Sequence, residues 1–186
     1  MSFFLLTKRG GVKGMLRVYH GTSYENGLRI LDEGFKCEKK IWYVSDNDSV
    51  YFHYVLPDSK YEDEQDARQR AIESARISSA INHSTSPHIY LFSIEVDEAD
   101  IDEFLDYSSE NMSGIALEIP IDIVNKTIIQ SEVVEDVYIP SLGLVYLSGL
   151  NLDYLNTENL IDEELSLLRN KKTLGELQEI YCELLF

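Results

Sequence analysis

The chain has 186 residues, the size of a single domain, and its 44% hydrophobic content is too high for a disordered polymer. Sixteen basic against 33 acidic residues give a formal charge of −17, which repels phosphate backbones and argues against general nucleic-acid binding. Two distant cysteines, Cys37 and Cys182, exclude a disulfide framework and a cysteine zinc site, and no run approaches the ~20 apolar residues of a membrane span.

Residues 1–14 carry Gly10, Gly11 and Gly14 beside Lys8, Arg9 and Lys13 and read as a flexible leader. Its apolar run, Phe3 to Leu6, is short and followed by positive charge, the wrong order for a signal peptide, so the expected location is cytoplasmic. Leu16 to Tyr19 is a short β-type run broken by His20-Gly21-Thr22. A helix follows, capped by Thr22 or Ser23 and stopped by Gly34. Ile41 to Val44 reads as a strand, and Ser45-Asp46-Asn47-Asp48 as a turn that starts a short helix over Val50 to Val55.

Glu62 to Ile81 predicts a helix with a narrow apolar face of Ala67, Ala71, Ile72, Ala75 and Ala80. His88 to Val96, Ile115 to Ile119, Thr127 to Ile139 and Leu144 to Leu147 read as strands, the third bent near Gln130 to Glu132. From residue 151 the composition turns leucine-rich. Thr173-Leu-Gly-Glu176 has capping-box spacing, and a helical hairpin packed on the domain or on a protein partner is expected. The resulting division is a leader over 1–14, a domain over 15–150 and a helical extension over 151–186.

The chemistry-bearing stretch begins with Val18-Tyr19-His20-Gly21-Thr22, where a glycine lets a ligand approach the backbone and His20 adds a donor or acceptor. Tyr43 then closes a strand and Tyr54 falls on the next helix. Two aromatic rings so placed suit a clamp on a planar heterocycle. His53, His83 and His88 lack metal-ligand spacing, so no metal is expected.

The order Y-H-G-T, an I-x-x-x-G-F helix end, Y-x-S-D-N and a second tyrosine eleven positions after the first resembles the diphtheria-toxin and poly(ADP-ribose)-polymerase branch of ADP-ribosyltransferases. The likeness runs from about Leu16 to Leu150 and is densest over residues 18–54. It implies an α+β fold, a split β-sheet core with short helices, and NAD as co-substrate. It further implies that His20 bonds a ribose hydroxyl, the Gly21 backbone holds the nicotinamide amide, Thr22 belongs to the NAD-binding set, and Tyr43 and Tyr54 stack on the ring with Ser45 close by.

The family's catalytic glutamate opens a late strand, a pattern that Glu132 matches better than Glu118, and Gln130 would complete a Q-x-E acceptor-selecting element. The implied activity is transfer of ADP-ribose from NAD to a macromolecular acceptor, chiefly protein. An RNA 2′-phosphotransferase on the same scaffold, and a degenerate NAD-binding or protein-interaction module, stand as the alternatives.

Overall fold

A computed structural model describes residues 14–36, 48–56, 59–60, 62–106, 116–135, 143 and 160–169. Strand β1 (Met15–Ser23) runs into helix α1 (Tyr24–Glu33), and β2 (Ser49–His53) precedes the long α2 (Glu64–Ile81). Strand β3 (Ile89–Asp97), α3 (Ile101–Phe104), β4 (Ala116–Pro120), α4 (Ile121–Val124) and β5 (Gln130–Val134) follow, and α5 (Asp162–Arg169) comes last among the described residues. The strands form one antiparallel sheet in the order β4-β2-β1-β3-β5. The molecule is therefore α+β.

Alternation along the strands explains the layers. Tyr19, Leu91 and Ile89 join Ala67, Ala71, Ala75 and Ile81 of α2 in one apolar cluster. Val18, Phe52, Phe92, Ile94, Leu117 and Ile119 face the other way, where α1, α3 and α4 supply Ile30, Ile101 and Val124. Each fully buried Phe or Leu here contributes about 1.5–3 kcal/mol.

Helix α2 starts at Glu64, two residues after the Glu62 expected from the sequence, and ends at Ile81 as expected. The Asp63 carboxylate accepts the Gln65 amide at 2.8 Å, and Asp66 accepts the Asp63 amide at 2.7 Å. Its alanines let it lie close to β1, which is where Gly21 sits. Gly34 ends α1 with φ 77°, a left-handed conformation that glycine adopts without strain, as expected from the sequence.

Three local expectations are corrected. Residues 49–53 form a strand, not a helix: Val50 and Phe52 are buried while Ser49, Tyr51 and His53 are half-buried, a period of two. Tyr54 consequently lies just after β2, not on a helix. His20-Gly21-Thr22 does not break β1, which continues to Ser23 paired with β3 along its whole length. Gln130 to Glu132 is the regular start of β5 rather than a bend, because α4 and a turn at Asn125–Lys126 already reverse the chain.

Of the C-terminal extension, α5 is described. It follows the buried Leu160, and Leu165 packs on the α2-side cluster. The second helix of the expected hairpin, the strand over 144–147 and the leader up to residue 13 lie outside the described residues. No helix among the described residues is long and apolar enough to cross a membrane.

Candidate functional site

The sheet is unevenly joined. Strands β1 and β3 share the ladder from Met15↔Asp97 to Ser23↔Ile89, whereas β1 and β2 share the single register pair Tyr19↔His53. Strand β2 is otherwise paired with β4. Beside that pair a side chain crosses between the strands: His20 Nδ1 lies 2.9 Å from the Tyr51 carbonyl oxygen. The seam between the two strands therefore has an imidazole built into it.

That bond determines the His20 tautomer. A carbonyl oxygen only accepts, so Nδ1 carries the proton and Nε2 is left with its lone pair. The ring sits edge-on to Phe35 at 5.4 Å and tilted against Phe52 at 5.7 Å. Burial among these groups pushes the His20 pKa down, and the bond to Tyr51 offsets part of that. His20 is thus a neutral imidazole offering one acceptor.

On the α2 side of the seam stands a set of residues that the sequence did not single out. His53 Nε2 is 2.7 Å from Ser74 Oγ, and one turn earlier Arg70 donates through Nη2 to the Tyr54 carbonyl at 3.0 Å. Arg70 Nη1 donates to Glu62 at 2.7 Å. His53 Nδ1 and Arg70 Nε are both sealed from solvent with no hydrogen-bond partner among the described residues. The only sequence signal for this set is that 70 and 74 share a helix face and that 51 and 53 share a strand face.

The other predicted residues are distributed as follows. Thr22 is buried, its hydroxyl 3.5 Å from that of Ser78 on α2. Gly21 lies beneath α2, directly against the Ala71 carbonyl. Tyr54 is only 3% exposed and belongs to the same apolar cluster as Phe35 and Phe52; burial, then the nearby Asp102, raises its pKa. Tyr43 and Ser45 lie outside the described residues.

Glu132 stands on β5 across from Leu91, which stands across from Gly21. His20 is in the neighbouring row, His20↔Phe92↔Ser131, so the Glu132 side chain leaves the opposite face, two strand spacings or roughly 10 Å away. There it is ion-paired with Arg68 of α2, whose Nε is 3.0 Å from Oε1. Gln130 is exposed on the same strand. Glu118, on β4 opposite Tyr51, also faces away from His20. The structure brings together His20 and the cluster around Tyr54, and separates them from both glutamates.

The histidines give a pH prediction. Burial first, then the neighbouring His20 and Arg70, push the His53 pKa down to about 4, against about 6.5 in an unfolded chain. Between these values the unfolded chain binds a proton that the folded one refuses. The stabilisation is complete above pH ~6.5 and is lost as the pH falls toward 4, at up to about 1.4 kcal/mol per pH unit. Urea denaturation at pH 7 and pH 5 is expected to show a larger loss of stability for the wild type than for His53→Asn. Equal losses would remove His53 as the cause.

Comparison with known protein families, curated proteins and solved structures finds no match. Among the described residues no group of three or more His, Cys, Asp or Glu is arranged to hold a metal ion.

Proposed function

We propose that the chain binds NAD at the β1–β2 seam and transfers ADP-ribose from it to a macromolecular acceptor, releasing nicotinamide. The observation that carries the proposal is His20: an imidazole of defined tautomer, held by the Tyr51 carbonyl, with Nε2 free to accept from a ribose hydroxyl. Its position within Y-H-G-T matches the resemblance noted from the sequence.

In the reaction, the bond between the nicotinamide nitrogen and the ribose anomeric carbon breaks. The bonding pair leaves with nicotinamide, which departs neutral. The sugar carbon gains oxocarbenium character, as in glycoside hydrolysis, and the acceptor's nucleophile attacks it while its proton passes to a carboxylate. Glu132 is the proposed carboxylate, with Gln130 as acceptor-selecting neighbour and Tyr43, Ser45 and Tyr54 at the nicotinamide. Serving this role requires Glu132 to exchange Arg68 for the substrate. An exposed ion pair of that kind is worth at most about 1 kcal/mol, so the exchange is energetically cheap. Reaching His20's substrate also requires β5 to shift its register by one residue, so that the Glu132 side chain projects from the His20 face of the sheet.

A second reading has a specific observation behind it: a degenerate NAD-binding or protein-interaction module accounts for Glu132 facing away from His20. The 2′-phosphotransferase reading lacks such support, since Arg68, Arg70 and Arg76 are each paired with a glutamate rather than gathered for a phosphate.

Nicotinamide release from labelled NAD separates these. The wild type is expected to turn NAD over, with kcat/KM reduced about 10–100-fold in His20→Ala and kcat about 100-fold or more in Glu132→Gln. Full activity of Glu132→Gln would transfer the carboxylate role elsewhere, with Glu118→Gln as the next variant. Calorimetric NAD binding without turnover would select the module, and no binding at all would sink the NAD reading.

A further inference from the structure

We propose that Arg70 and Ser74 are positioning residues for His20: acting from α2, they hold β2 at the seam so that the Tyr51 carbonyl stays within reach of His20 Nδ1. The need for such a clamp follows from the ladder. Strands β1 and β2 meet at one register pair, Tyr19↔His53, and one pair does not fix the angle or separation of two strands. Val50 and Phe52 anchor the apolar face of β2 in the core, and on the other face polar bonds from the helix hold the strand end. Ser74 engages the His53 ring at 2.7 Å, and Arg70 binds the carbonyl of the next residue, Tyr54, at 3.0 Å. These two anchors are one helical turn apart and grip consecutive residues of the same strand end.

Arginine suits the first anchor for a geometric reason. Its planar fork donates to Glu62 through Nη1 and to Tyr54 through Nη2 at fixed mutual orientation. A lysine is a point donor on a flexible stem and cannot make both bonds at a set angle. Helix α2 itself cannot drift, because its backbone lies against Gly21 of β1 and Ala71 and Ala75 are fully buried. The clamp thus ties β2 to β1 through a rigid third element. Two residues along from His53, the Tyr51 carbonyl inherits that placement and selects the Nδ1–H tautomer of His20.

The consequence for substrate rests on the NAD reading; the consequence for His20 does not. With the clamp in place, Nε2 is always the acceptor. With it loosened, Nδ1–H and Nε2–H forms both populate, and a fraction of molecules presents a donor where an acceptor is needed.

The experiment is ¹⁵N NMR of the full chain with labelled histidine, in Ser74→Ala, Ser74→Thr, Arg70→Lys and the wild type, alongside NAD turnover. The wild type is expected to show one His20 tautomer, protonated at Nδ1. Ser74→Ala and Arg70→Lys are expected to show a mixture, and Ser74→Thr, which keeps the hydroxyl, to restore the single form. Where turnover is measurable, kcat/KM falls about tenfold in the two loosened variants. A pure Nδ1–H signal in both loosened variants, with the fold intact by circular dichroism, overturns the positioning role. Tautomer mixing in the absence of any wild-type NAD turnover upholds the clamp and rejects the NAD reading instead.

Discussion

Gly21→Ala is expected to lower the stability of the fold by about 3 kcal/mol or more. A Cβ at this position would fall inside the van der Waals envelope of the Ala71 carbonyl oxygen, 2.6 Å from its carbon and 3.1 Å from the Ala75 Cβ. The nearest groups are helix backbone, which cannot swing aside as a side chain does, so α2 must lift off β1. Replacing glycine by alanine ordinarily gains about 0.4–1 kcal/mol by restricting the unfolded chain, and that gain is too small to offset the clash.

In a chain of this size the thermal midpoint should drop by roughly 6–12 °C. Gly14→Ala is the matched control. There the new Cβ meets the carboxyl end of Glu98, a flexible side chain that moves away, and little change is expected. A Gly21→Ala protein that melts like the wild type but has lost NAD binding would mean that Gly21 is a ligand contact and not a packing contact.

Phe52→Ala should be comparably damaging, at about 3–5 kcal/mol, because a fully buried ring is deleted from the middle of the sheet. It carries a second, diagnostic effect. Phe52 is one of the two aromatic walls of the His20 ring, Phe35 being the other. Removing it opens the imidazole to water, so the burial that holds the His20 pKa down weakens and the value climbs back toward the ordinary 6.5.

Denaturant titration measures the first effect and an NMR pH titration of His20 the second. Phe52→Leu keeps an apolar side chain at the site and should show smaller changes in both. An unmoved His20 titration in Phe52→Ala would show that the depression comes from other neighbours.

The elements read correctly from sequence are those whose signals are local and redundant. Helix α2 has a turn of acids and alanines at helical intervals, and α1 has a glycine stop. Neither the Thr22 nor the Ser23 hydroxyl makes the expected cap, so α2 was legible to within two residues of its start and α1 at its C-terminal end. Residues 50–55 were not, because Val50, Tyr51, Phe52, Tyr54 and Val55 satisfy a helical face and a strand face alike, and the preceding Ser-Asp-Asn-Asp imitates a helix cap. The β-branched and aromatic content prevails once β4 supplies a partner strand. Tyr54 changed its meaning with that element: on a helix it would be presented to a ligand, and after a strand it is part of the core.

What the sequence determined by itself is a mixture of helices and strands of strongly acidic character, with His20 following directly on the first apolar β-type run. What only the tertiary structure decided is which groups share a face. In a strand every side chain's direction depends on its parity, so a shift of one residue separates Glu132 from His20 across the full thickness of the sheet. Parity depends on register, and register depends on which strands pair. The same is true of His53, Arg70 and Ser74, whose meeting at the seam needs α2 to be laid over β1 by two small residues and a glycine.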